Sequence, residues 1–174
     1  MPRAAVPRAA VPGAAVPRTP LAKPAKDEYR RNLPHLQAEE RPLFVTFRTW
    51  RKWSLPVAVR SLVLNHCLHD HGTKLWMHCA IVMPDHVHLL FTPLRDAIGN
   101  SFGLAEIMNG IKGSSAHSVN KALRRRGHVW QDESHDHVLR RDESIEDVAQ
   151  YIAQNPIRKG LANKENDYPW LWRE

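Results

Sequence analysis

No stretch of this 174-residue sequence approaches the roughly 20 consecutive apolar residues that a membrane helix needs, so no membrane partner is expected. Cysteine is scarce. Cys67 and Cys79 are the two present, too few for a disulfide framework, and both sit in apolar surroundings. They read as reduced core residues of a cytoplasmic protein. The N-terminal segment lacks the compact apolar run of a secretory signal. Acids are missing from residues 1–26, which carry Arg3, Arg8, Arg18, Lys23 and Lys26. Of the formal charge of +7, that segment holds +5, leaving 20 basic against 18 acidic residues elsewhere. A basic chain points to a polyanionic partner, but most of this excess belongs to one end.

That end is a degenerate repeat, PRAAV, PRAAV, PGAAV, PRTP. Proline at nearly every fifth position blocks helix propagation, and alanine with valine cannot build a core. Residues 1–26 therefore read as a disordered basic tail, and residues 27–174 as a single domain large enough for a hydrophobic core. From Pro42 the texture changes. Leu43–Thr49 is rich in β-branched and aromatic residues and predicts a strand. Ser54-Leu55-Pro56 offers a helix start, and Val59, Leu62, Val63, Cys67 and Leu68 recur at helical spacing until Gly72. Leu75–Met83 and His86–Phe91 read as two strands joined at Pro84-Asp85. A second helix covers Leu104–Arg125, weakened by Gly110 and Gly113, and a short extended piece follows around Val129 and Val138-Leu139. Ser144-Ile145-Glu146-Asp147 resembles a capping box opening a third helix through Tyr151 toward Asn155, limited by Pro156. This order predicts an α+β domain: an antiparallel sheet with helices packed on one face.

The chemistry centres on Pro84-Asp85-His86-Val87-His88-Leu89-Leu90-Phe91. Alternate side chains of a strand share a face, so His86 and His88 point one way while Val87, Leu89 and Phe91 enter the apolar layer. Two neutral imidazoles a strand step apart can bind one divalent cation. Chance alone also produces such pairs in a chain with 11 histidines, and His69-Asp70-His71 and His135-Asp136-His137 are two more. The hydrophobic strand behind His86 and His88 sets that pair apart. Tyr151 and Asn155, four residues apart in a helix, lie on one face. They can supply a nucleophilic phenol and a third metal ligand, although a helical tyrosine is more often a core residue. Of the other tyrosines, Tyr29 lies in a polar segment and Tyr168 precedes Pro169.

Taken in order, "MPDHVHLLF", "WQDESHDHVLRRDE" and "YIAQNPIRKGLA", preceded by "RRNLPHLQ" and "PLFVTFRTW", resemble the signature of REP-associated tyrosine transposases. The match runs from about Arg30 to Pro169. The resemblance implies a ferredoxin/RRM-like HUH nuclease domain that nicks and rejoins single-stranded DNA through a 5′-phosphotyrosine. It implies Tyr151 as nucleophile, His86 and His88 as ligands of Mg2+ or Mn2+, and Asn155 completing the metal site. It also implies a hairpin or palindromic repeat as substrate, a cytoplasmic, nucleoid-associated bacterial setting, and a monomer or homodimer. Family members often carry an aromatic residue where this chain has His135. Lys112, Arg124, Arg125, Arg126 and Arg140 are candidate phosphate contacts, with solvated surface charge as the plain reading of each. Tryptophans such as Trp50, Trp53 and Trp130 are candidates to stack unpaired bases. Two rivals stand beside this reading: a domesticated, non-catalytic DNA- or RNA-binding protein, and a hydrolase using metal and water without tyrosine.

Overall fold

Alternation along Leu43–Thr49 places Leu43, Val45 and Phe47 in the core and leaves Phe44, Thr46 and Arg48 on the other face, making strand β1. This is the expected span. The computed structural model describes residues 41–174; the tail 1–26, Tyr29 and the segment 30–37 lie outside the described residues. Pro56 sits immediately before helix α1, Val57–Leu68, whose Val59, Val63 and Cys67 turn inward. The chain turns back at Gly72, whose φ of 77° suits glycine. Strands β2 (Leu75–Val82) and β3 (His86–Pro93) form the expected hairpin.

Helix α2 spans Leu104–Ala122. It stops short of Arg125 because Leu123 has left helical geometry and Arg124 takes a φ of 49°. Strand β4 (Trp130–Val138) is longer than the short extended piece expected, because its pairing with β1 recruits polar residues that carry no strand signal of their own. Ser144 caps helix α3 (Ile145–Ala153), its hydroxyl accepting from the amides of Glu146 and Asp147. A single turn, α4 (Asn155–Arg158), follows with Pro156 in its first positions, where the missing N–H costs nothing. Strand β5 (Leu171–Arg173) has no counterpart in the sequence reading.

The sheet order is β4-β1-β3-β2-β5, antiparallel throughout. Helices α1 and α2 cover one face, as the sequence predicts, burying Phe47, Leu89 and Phe91 against Val63, Ile107 and Ile111. Helix α3 lies on the opposite face, over β2 and β3, where Ala149 and Ile152 meet Cys79, Ile81 and Leu90. A bulge between Met77 and Cys79 permits this second layer. The extra residue turns Cys79 from the first face to the second. The part of that face formed by β1 and β4 lies beside α3 and carries Phe44, Thr46 and His135, none of them fully buried. No helix among the described residues is long and apolar enough to cross a membrane.

Candidate active site on the partly covered sheet face

His86 and His88 share the α3 face of β3, both nearly buried, with ring centroids 4.7 Å apart and planes at 74°. Each ring is oriented through Nδ1. The His86 Nδ1 lies 2.6 Å from Asp85 Oδ1, and the His88 Nδ1 lies 2.7 Å from Thr46 Oγ1 on β1. With Nδ1–H donating in each case, both Nε2 atoms keep a lone pair, the arrangement typical of metal-binding histidines. Burial lowers the pKa of both. His88, with the neighbouring His86 and Arg48 adding to the effect, falls to about 3, while Asp85 partly offsets the fall at His86. For Asp85, burial alone acts to raise the pKa; the hydrogen bond from His86 and the Arg48 guanidinium 4.0 Å away outweigh it, and the carboxyl is lowered. At neutral pH an ionised carboxylate thus accepts from an uncharged imidazole.

Asp85 is itself held in place. Its carbonyl accepts from the backbone N–H and the hydroxyl of buried Thr49, and the Pro84 carbonyl accepts from Leu55 N–H. The turn before the histidines is therefore pinned by the end of β1 and the approach to α1.

Tyr151 lies on α3 with its ring half exposed. Phe44 links it to the histidines: the Phe44 ring is 5.4 Å from His88 and 6.5 Å, edge-on, from Tyr151. The Arg158 guanidinium sits 4.7 Å from the Tyr151 ring centre, and Lys159, next along, is close enough to His86 to disfavour its protonation. Asn155 is buried at the start of α4, its amide donating to the carbonyls of Tyr151 and Ile152. That is a helix-terminating contact, and it commits Nδ2 while leaving Oδ1 as the end able to act as a ligand. Tyr168 is a core residue whose hydroxyl donates to the Val82 carbonyl.

Among the described residues no three His, Cys, Asp or Glu side chains converge as a metal centre. The donors available are two uncharged imidazoles and one amide oxygen. That set fits a divalent cation that takes its remaining ligands from phosphate or water, and it suits manganese better than magnesium.

The other sequence candidates are dispersed. The Lys112 ammonium is 2.8 Å from the Asp132 carbonyl, strapping α2 to β4, and burial lowers its pKa. Arg140 lies exposed beyond β4. Arg124, Arg125 and Arg126 line a cavity of about 380 Å³ at the end of α2. Trp130 is a core residue: it donates to Ser115 and packs edge-on against Phe47. His135 is exposed, across Thr46 from His88, and His137 Nε2 is 2.7 Å from Glu143. Sequence reasoning passed over Thr46, Phe44, Arg158 and Lys159. The alternation of β1 would have singled out Thr46 and Phe44 had its register against β3 been known. The two cations follow Asn155-Pro156-Ile157 in the sequence.

The strand order, with two helices on one face and a third on the other, defines a ferredoxin-like α+β protein. The chain belongs to the IS200-like transposase family, whose model matches residues 60–155. Its fold is similar to that of a REP-associated tyrosine transposase solved bound to a REP hairpin, at 18% identity over 76% of each chain and a TM-score of 0.60. A Deinococcus radiodurans protein described as a transposase aligns at 19% identity and a TM-score of 0.46, covering 65% of this chain and 88% of that one. No curated protein matches.

Proposed function

We propose that this chain nicks and rejoins single-stranded DNA beside a hairpin or palindromic repeat, with Tyr151 as the nucleophile. One observation carries the reading. Two buried, uncharged imidazoles, each fixed through Nδ1, share a sheet face with the helix that bears Tyr151, and Phe44 touches both groups. Family membership and the hairpin held by the structural neighbour support the substrate class.

In this mechanism His86, His88 and the Asn155 amide oxygen would hold Mg2+ or Mn2+. When bound, the ion offsets charge developing on the scissile phosphate. The protein's own groups do the rest. Asp85 and Thr46 keep the imidazoles in the metal-binding tautomer. Arg158 and Phe44 pack against the Tyr151 ring and restrict its orientation. Lys159 and Arg48 add positive charge beside the histidines, where a phosphate would lie. A phenol is a weak nucleophile until it loses its proton. The Tyr151 phenol gives its proton to water and its oxygen bonds to phosphorus as the bond to the 3′-oxygen breaks; that oxygen takes up a proton from water and leaves as a 3′-hydroxyl, so no net proton is gained or lost. The phosphotyrosyl bond conserves the broken linkage, so a second 3′-hydroxyl reverses the step without ATP.

The test uses labelled single-stranded hairpin oligonucleotides from the DNA flanking the gene, incubated with manganese and resolved on a denaturing protein gel. The expected result is a labelled adduct with the wild type and none with Tyr151→Phe. Equal cleavage by both proteins without an adduct would instead establish a water-using hydrolase. Binding without cleavage would establish a domesticated DNA binder.

A further inference from the structure

The turn after β1 contains backbone that L-residues adopt at a cost. Arg51 and Lys52 both have positive φ, 52° and 58°, and both side chains are exposed. Neither is glycine or asparagine, the residues that tolerate this region. Two cations held this way between Trp50 and Trp53 mark a segment shaped for something other than stability.

The turn is joined to the end of α2. The Trp50 ring stacks on His128 at 4.8 Å, and Trp50 N–H donates to the Val129 carbonyl. The Arg125 guanidinium lies 4.1 Å from the Trp53 ring centre and donates to the His128 carbonyl. Beside it Lys121, Arg124 and Arg126 line the 380 Å³ cavity, and among the described residues none of the three is ion-paired. Cations at a helix C-terminus complement its dipole. That accounts for about half a unit charge, and this cluster greatly exceeds it. The segment that carries Arg51 and Lys52 is also anchored to the turn before His86, because Thr49 and Leu55, on either side of it, donate to the Asp85 and Pro84 carbonyls.

We infer that this ridge, Arg51-Lys52 with Lys121 and Arg124–Arg126, is a phosphate-binding site for the duplex stem of the hairpin whose single-stranded flank is nicked. The inference rests on the nicking reading above and adds where the stem lies. Charge selects a polyanion, and the aromatics select duplex over single strand. Trp50 is engaged by His128 and approached by Arg51 at 5.8 Å, and Trp53 by Arg125, so these rings position cations rather than offer open platforms for bases. A site built from cations alone reads backbone, not sequence.

The experiment measures binding of two labelled DNA hairpins with unrelated stem sequences, and of an unstructured strand of equal length, across a salt series. The full chain is used in a Tyr151→Phe background. The triple variant Lys121→Gln, Arg124→Asn, Arg126→Gln keeps an asparagine where φ is positive. It is expected to bind both hairpins at least about tenfold more weakly, with the slope of log affinity against log salt shallower by about 2 to 3. Arg51→Asn with Lys52→Asn, a second variant compatible with the backbone, is expected to shift the slope in the same direction; circular dichroism melts check folding of each. Unchanged affinity and slope in both variants would overturn the inference, as would equal weakening for the unstructured strand. If wild type forms no covalent adduct while these stem effects hold, the nicking reading fails and the stem site stands.

Discussion

Two His-x-His pairs share one face of this sheet, and they have little else in common. His86 and His88 lie on a central strand, buried, with Nδ1 of each ring tied to Asp85 or Thr46. His135 and His137 lie on edge strand β4, the first exposed and the second bonded to Glu143 through Nε2, the nitrogen that His86 and His88 leave free. The tripeptide pattern is the same. β1 neighbours both pairs, and what separates them is where it places its groups: the Thr46 hydroxyl goes to His88 and not to His135, and Thr49 fixes the turn that bears Asp85. Burial does the remainder, holding the first pair uncharged at neutral pH so that its lone pairs are available.

Substitution of either pair puts the contrast to its hardest test. His88→Ala is expected to reduce manganese-dependent nicking at least about 100-fold, while His135→Ala changes it less than about threefold; initial rates on one hairpin oligonucleotide give both values. Comparable losses would erase the distinction drawn here. Thr46→Val keeps shape and removes the hydroxyl that orients His88. It should weaken manganese binding about 10- to 100-fold, measured by calorimetry, since supporting hydrogen bonds contribute on that scale.

Acid supplies a graded probe of the same contrast. His88 has a folded pKa near 3, against about 6.5 when unfolded. Below about pH 6.5 the unfolded chain therefore binds the extra proton. This contribution to stability is fully present above that pH and is lost as pH falls toward 3, at about 1.4 kcal/mol per unit. Urea midpoints measured in chelator should fall across that window for wild type and less steeply for His88→Gln. The smallest effect belongs to the helix that carries Tyr151: Ser144→Ala removes its cap and should cost about 1 kcal/mol, read as a lower melting temperature.

The elements with local signals were legible in the sequence. β1, the β2–β3 hairpin and the Ser144 cap are written in alternation, a Pro-Asp turn and a capping hydroxyl. The His pair and Tyr151 were legible as types on elements. Their mutual placement was not, because it depends on which strand lies beside which. β4 is polar along most of its length, and its strand character comes from pairing with β1; β5 is three residues whose partner lies about ninety positions earlier. The bulge at Met77–Cys79 lets α3 pack on the second face, and no residue type there announces it.

The strand order has a consequence for how the molecule comes together. β1 is the central partner of β3 and β4, and its register joins Leu43 to Val138, a closure spanning most of the domain. The β2–β3 hairpin closes within a few residues of Pro84-Asp85. Local hairpins form in microseconds, whereas pairings of high contact order set the overall rate. His86 and His88 are thus assembled on an early, local unit, and Thr46 reaches them only when β1 docks. A divalent cation added during refolding would meet a His86 already oriented by Asp85 of the same hairpin, and a His88 still waiting for the Thr46 hydroxyl that β1 brings.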